Sequence, residues 1–379
     1  MERHKARLVV SEKEQVVGMD YALKFAAVMD MTTVKMILAV SANWGVPAKH
    51  DAVSNAYVKA EKEHYLKILI ALEFFFASLK FLSSKSLGPV LKFRGMCVTH
   101  SNDREYLLDQ EGAILDVIHQ HGMLEENAAR APIGVDLIRH SERGERATTG
   151  HERARTAERP HASVTCGFVA LGGQMHKTQH LFCGTWGHVA ETRSAHARRN
   201  FAKHGVRYLS GTRALTIRMT ATAQADAQPT LVRSSDADKS DQKSLSGCVV
   251  LLNDMALGGW SKNQGGVALR TTESEFVAAS EAGRELHGIR EALTEIGVTL
   301  TLPLTMHIDN QAAIVQIAGE ATSTKAKHID VRVKYLCEQA RRGIVVPVYV
   351  KSELMLADVI TKALDASKLV ELRTLLQIT

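Results

Sequence analysis

Four acidic residues late in the chain, Asp236, Glu275, Asp309 and Asp358, sit at the ends of what read as separate strands and helices. Carboxylate oxygens gathered from several elements are the donor set that Mg²⁺ favours, with water and a substrate phosphate completing its octahedral shell. Two such ions about 4 Å apart can activate an attacking water and stabilise a departing oxygen. The pattern therefore suggests a divalent-metal nuclease site for Mg²⁺, with Mn²⁺ as an alternative ion. Each acid also has an ordinary explanation. Thr272 and Glu275 have the spacing of a capping box, where the glutamate returns a hydrogen bond to the helix start. Asp309 could cap a helix beginning at Asn310, and Asp358 could be a polar-face or early-helix charge. Asp238 competes with Asp236 if the strand register differs.

The segments that must position these acids form a coherent series. Leu231 to Asp238 reads as a first strand, Gly247 to Leu252 as a buried second strand and Met255 to Lys262 as a third, with a turn at Asn253-Asp254. From Thr271 to Ile296, Phe276, Ala279, Gly283, Leu286, Ile289, Leu293 and Ile296 recur at helical spacing, one stripe on a long helix ended by Gly297. Leu304 to Asp309 follows as a fourth strand, Asn310 to Ile317 as a short helix and about Ile329 to Arg342 as a longer one stopped by Gly343. Ile344 to Val350 is a fifth strand, and Leu356 to Leu364 begins a last helix. The order βββαβααβα predicts an α/β layered fold, a mixed sheet covered by helices.

Taken together, SDAD at 235–238, KSLSGCVVLLN, WSKNQGGVAL, TTESEFVAASEA, HIDNQAAI, TKAKHIDVR, YV at 349–350 and ADVITKAL closely resemble the ribonuclease H domain of copia-type LTR-retrotransposon polyproteins. The match keeps order and approximate spacing over nearly all of Ser234 to Leu364. It implies a ribonuclease H-like mixed sheet flanked by helices, and cleavage of the RNA strand of an RNA–DNA hybrid. Carried over position by position, Asp236, Glu275, Asp309 and Asp358 are the metal ligands. Asp236 is the expected bridging ligand, with Glu275 and Asp309 on one side and Asp358 on the other. Arg270 stands where the family usually has serine, and Lys239 where tryptophan is common; neither change removes a carboxylate. Lys262, Lys325, Lys327 and Arg332 are candidate phosphate contacts, and Asn263, Gln264 and Asn310 candidate contacts to 2′-hydroxyls. Lysines on a helical face are also commonly just solvated.

The N-terminal part carries a second resemblance. KARLVV, MTTVKMILAVSANWGVPAKH and VSNAYVKAE, within residues 5–59, resemble the opening of the reverse-transcriptase domain of the same polyproteins, and FRGMCV, YLLDQEGAILDVIHQHGM and APIG resemble a segment beyond its active site. In that family an aspartate directly precedes V-S-N-A; here Ala52 holds the corresponding place and Asp51 lies one residue earlier. The family's tyrosine with paired aspartates two residues on occurs nowhere in the chain. The intervening stretch is too short for a polymerase body, so loss of polymerase chemistry is expected. Residues 1–137 thus read as a truncated reverse-transcriptase-like remnant, 138–230 as a poorly ordered connection and 231–379 as the ribonuclease H-like domain. RHSERGERATTGHERARTAERPHAS lacks the apolar residues needed to offset ordering. Within the connection, His176, His180, Cys183 and His188 fit no closed zinc site, while KHGVRYLSGT resembles the family's polymerase–nuclease joint.

A formal charge of +6 on 379 residues fits a nucleic-acid partner without requiring one. Five scattered cysteines without a CxxC pair, and no signal peptide, lead to the expectation of a reducing, intracellular setting, its compartment open. No run has transmembrane length; Ile68 to Phe81 is interrupted by Glu73 and Lys80.

Overall fold

The computed structural model describes residues 31–53, 84–93, 95–102, 104–132, 195–221, 231–240, 243–265, 271–319 and 331–379, excepting the side chains of 50–53, 84–87, 195–201, 231–240, 243 and 331–334. Helix α1 (Met31–Trp44) takes up the expected apolar patch and buries Val34, Met36, Leu38 and Val40. Strands β1 (Lys49–Val53) and β2 (Ser84–Pro89) pair antiparallel. Strands β3 (Lys92–Phe93), β4 (Met96–Asn102) and β5 (Glu105–Asp109) lead to helix α2 (Glu111–Gln120), helix α3 (Ala195–Thr212) and strand β6 (Ile217–Thr220). These strands form an antiparallel sheet in the order β3-β4-β5-β6.

Helix α3 and β6 fall inside the stretch expected to be a poorly ordered connection, so for residues 195–221 that expectation is corrected. Val206 and Leu209 of α3 pack on Ile114 and Ile118 of α2, and this partner face makes the helix stable despite its polar composition. His176, His180, Cys183 and His188 lie outside the described residues.

The C-terminal part is built on a five-stranded mixed sheet. Strands β7 (Leu231–Ser240), β8 (Lys243–Leu252) and β9 (Met255–Asn263) form an antiparallel meander. The turn at Asn253 and Asp254 takes positive φ values of 49° and 63°, the backbone twist that a two-residue hairpin requires. Helix α4 (Thr271–Glu295) returns the chain to β10 (Leu304–Ile308), which pairs parallel with β7. Helices α5 (Gln311–Ala318) and α6 (Val331–Arg341) lead to β11 (Val345–Tyr349), parallel to β10. The sheet order is β11-β10-β7-β8-β9. The mixed sheet, its helical cover and the sequence of its elements agree with the ribonuclease H-like expectation. The apolar stripe on α4 buries Phe276, Ala279, Ala282, Leu286, Ile289 and Leu293.

Where one last helix was expected, there are two, α7 (Asp358–Thr361) and α8 (Ala366–Leu375). The break follows from extended backbone at Lys362 and from Asp365, whose side chain accepts the Lys368 N–H at 2.8 Å and caps α8.

The two parts share a buried core. Helix α1 lies against β9 so closely that a Cβ on Gly258 would stand 3.0 Å from Thr32 Oγ1. The final residues return to β6: Thr216 N donates to Thr379 O at 2.8 Å, and Arg218 N to Gln377 O at 2.9 Å.

Lys35 on α1 is wholly buried, and its Nζ has no hydrogen-bond partner among the described residues. Burial lowers its pKa from 10.5 to about 7. Between those values the unfolded chain holds a proton that the folded chain sheds, so this group makes stability rise with pH across that window. Below it the full penalty applies. Lys35→Met is expected to stabilise the protein by on the order of 4 kcal/mol at neutral pH, with the gain shrinking towards pH ~10. Denaturant unfolding at the two pH values checks this; equal gains would show that the ammonium is paired.

Candidate active site

Main-chain register bears on the choice between Asp236 and Asp238. Strand β10 runs beside β7 with Thr305 opposite Val232, Met306 opposite Arg233 and His307 opposite Ser234. Continued by two residues, that register sets Asp309, just past the end of β10, opposite Asp236. Asp238 lies a further two residues along, about 7 Å away. The backbone thus sets Asp236, and not Asp238, beside Asp309. The side chain of Asp236 is outside the described set.

On its other side Asp236 pairs with Gly247 of β8. A Cβ at Gly247 would collide with Thr361 Cγ2 and stand 3.3 Å from Ile360 Cγ1. Glycine is what lets α7, which begins with Asp358, settle on the sheet. The preceding residue faces the other helix. Ser246 Oγ accepts from Gln264 Nε2 at 2.9 Å, and the same amide donates to Ser274 O in the first turn of α4 at 2.8 Å. Helices α4 and α7 therefore cover opposite faces of β8. Glu275 and Asp358 are thus carried by helices that lie on the two faces of the sheet.

The ordinary explanations lose ground for Glu275 and Asp309 and hold for Asp358. Thr272 lies inside α4, which begins at Thr271, so the capping box does not describe Glu275, itself buried at 6% exposure. Helix α5 is capped by Asn310, whose side-chain oxygen accepts the Ala313 N–H at 3.1 Å, and not by Asp309. Asp309 instead accepts a 3.2 Å hydrogen bond from Ser352 Oγ, in the short turn Ser352–Leu354 that precedes α7. Asp358 is 5% exposed and does occupy a helix start; its Oδ1 accepts from Lys362 Nζ at 2.8 Å. Burial lowers the pKa of His307, which keeps its imidazole neutral near pH 7.

The candidate substrate contacts divide. Lys262 is exposed, 3.9 Å from Glu281. Asn263 ends β9, opposite Leu245. Gln264 is buried, its amide committed to Ser246 and Ser274, so it ties the first turn of α4 to the sheet. Asn310 is occupied as a helix cap. Lys325 and Lys327 lie outside the described residues, as does the side chain of Arg332. Sequence reasoning missed Gln264's clamp and the Lys362 contact, because neither carries a periodic pattern.

Hard carboxylate oxygens suit Mg²⁺ or Mn²⁺. Among the described residues, no three His, Cys, Asp or Glu side chains are grouped closely enough to hold a metal ion. The Asp236 carboxylate is not one of the described side chains. No helix among the described residues is long and apolar enough to cross a membrane.

The tight approach at Gly247 yields a test. Gly247→Ala is expected to destabilise the protein by about 1–3 kcal/mol through overpacking against Thr361. Adding Thr361→Ser removes the clashing methyl, keeps the hydroxyl bond to Ala357 O and should recover part of the loss. Additive losses in thermal or denaturant unfolding would disprove the contact.

No protein-family model matches the chain. It is 23% identical over 445 aligned positions to the retrovirus-related Pol polyprotein from transposon RE1 of Arabidopsis thaliana, covering 96% of this chain and 30% of that one. Against the corresponding polyprotein from transposon TNT 1-94 of Nicotiana tabacum it is 27% identical over 301 positions, 76% of this chain and 22% of the relative. Identity to the RE2 polyprotein of Arabidopsis thaliana is 30% over 168 positions, 44% and 11% of the two chains. The chain thus spans less than a third of the length of the curated relatives it matches. The RE1 alignment is longer than the 379 residues available, so that relative carries segments with no counterpart here. Among solved structures, LC11-RNase H1 in complex with an RNA/DNA hybrid is 12% identical with a TM-score of 0.27, covering 33% of this chain and 88% of that one. The N-terminal RNase H domain of rv2228c from Mycobacterium tuberculosis is 13% identical with a TM-score of 0.26, covering 38% and 96%. The curated homologues of this chain are therefore retrovirus-related Pol polyproteins of copia-type transposons.

Proposed function

We propose that residues 231–379 act as a Mg²⁺-dependent endonuclease on the RNA strand of RNA–DNA hybrids, with Asp236, Glu275, Asp309 and Asp358 as its acids. One observation carries this reading: the parallel pairing of β7 with β10 sets Asp236 and Asp309 at neighbouring register positions. The paired stretch from Thr305 to His307 supports it, two residues short of Asp309. The substrate class comes from the sequence resemblance.

Bound metal would supply an activated water and charge stabilisation at the departing oxygen. The chain's own groups have separate tasks. Asp236 and Asp309 would present oxygens from adjacent strands, while Gln264 anchors the turn that carries Glu275. Ser352 orients Asp309 by its hydrogen bond. Lys262, exposed near the end of β9 and 3.9 Å from Glu281, would meet a phosphate. Polymerase chemistry is taken as lost, because Ala52 stands in the aspartate's place and the paired aspartates are missing from the chain.

The second reading is a noncatalytic nucleic-acid-binding relic. It is favoured by the partners that Asp309 and Asp358 already have.

A labelled RNA–DNA duplex incubated with the full chain and Mg²⁺ distinguishes the two. Cleavage is expected, with Asp309→Asn reducing it by roughly 100-fold or more, the scale of losing a group that acts in the transition state. Retention of the hybrid without cutting would establish the relic. Lys262→Ala should reduce the salt dependence of hybrid binding by about one unit of log–log slope; an unchanged slope would return Lys262 to an ordinary surface residue.

A further inference from the structure

Asp358 already has a cation. Its carboxylate is almost wholly buried, and Lys362 Nζ donates to Oδ1 at 2.8 Å from one helical turn away. The backbone holds the two residues in this relation. Lys362 N donates to Asp358 O at 2.9 Å, and the intervening Thr361 is fully buried with Oγ1 donating to Ala357 O at 3.0 Å. Helix α7 ends there, so Lys362 leaves on extended backbone with its side chain 31% exposed. The lysine is fixed at its root and has solvent on one side of its flexible stem, so the ammonium has room to swing away.

A buried carboxylate needs a compensating charge. The Lys362 ammonium supplies one here, on Oδ1. We propose that Lys362 holds the place of a cation on Asp358 and competes with the divalent metal for that carboxylate. This rests on the reading of Asp358 as a metal ligand. A metal held by Asp358 would face the charge of the ammonium, and an ammonium that swings away would be free to meet a hybrid phosphate. Metal and hybrid therefore strengthen each other's binding through this one side chain.

Thermal unfolding of the full chain across a Mg²⁺ titration tests the competition without recourse to turnover. Lys362→Met removes the competing charge, and half of the Mg²⁺-dependent rise in Tm should then occur at about 30-fold lower Mg²⁺, the scale of a unit charge about 4 Å from a divalent ion at a water-like dielectric. Lys362→Arg keeps the charge and should titrate as the parent does. Unchanged midpoints in all three proteins, or equal shifts in the Met and Arg variants, would overturn the competition while leaving the metal site in place. A parent that does not respond while Lys362→Met does would support it in its strongest form. If no protein responds, Lys362→Met included, the metal-ligand reading of Asp358 falls, and the competition falls with it.

Discussion

Strand β7 is paired along both edges, antiparallel to β8 and parallel to β10, and every distance at the candidate site depends on that. A strand held on one side can slip; one held on both must break two ladders to move. A one-residue shift would exchange its two faces and put a different residue beside Asp309. The parallel partner also requires a crossover, and α4 supplies it. At 25 residues this helix spans about 37 Å, longer than the strands it covers. Its length lets the stripe from Ala279 to Leu293 do the packing, while Glu275 rides near the start of the helix, ahead of that stripe.

Most of this sheet was legible because its signals are local. The Asn253-Asp254 turn, the spacing of the α4 stripe and the apolar runs of β8 and β10 each follow from what neighbouring residues must do together. Contacts between distant segments could not be read that way. Gln264 is a polar residue of a kind usually found exposed, and only the joint approach of β8 and α4 gives its amide two buried acceptors. The break after Thr361 was equally hidden, since ADVITKAL has the composition of continuous helix and the Asp365 cap that starts α8 lies just beyond it. Helix α3 was missed for a related reason: its stabilising partner, α2, lies far back in the sequence. Of the candidate acids, sequence offered both Asp236 and Asp238, and strand register separates their positions.

Boundaries drawn along the sequence do not coincide with separate cores. Helix α1 covers β9, and the chain's last residues add a rung to β6. Tyr208 of α3 meets Arg373 of α8 at 3.3 Å, and burial raises the tyrosine's pKa more strongly than that guanidinium lowers it. Elements resembling a polymerase thus pack against the nuclease-like sheet. The packing role of this part depends on its apolar faces.

Two lysines show how differently the halves are balanced. Lys362 reaches a buried carboxylate one turn away, so the charge that the C-terminal fold buries is answered within the same short segment. Lys35 is buried more completely and has no such answer among the described residues, and burial alone drives its pKa down. A buried ammonium without a partner is costly, and a chain keeps its charge matched most readily where the groups that match it are still present. The unmatched lysine lies in the part that lacks the family's paired aspartates; the matched one lies beside the acids that the nuclease reading requires. Charge balance and the resemblance of the tail therefore point to the same place. The register of β7 and β10, carried two residues on, leads Asp236 and Asp309 toward neighbouring positions at that end of the sheet.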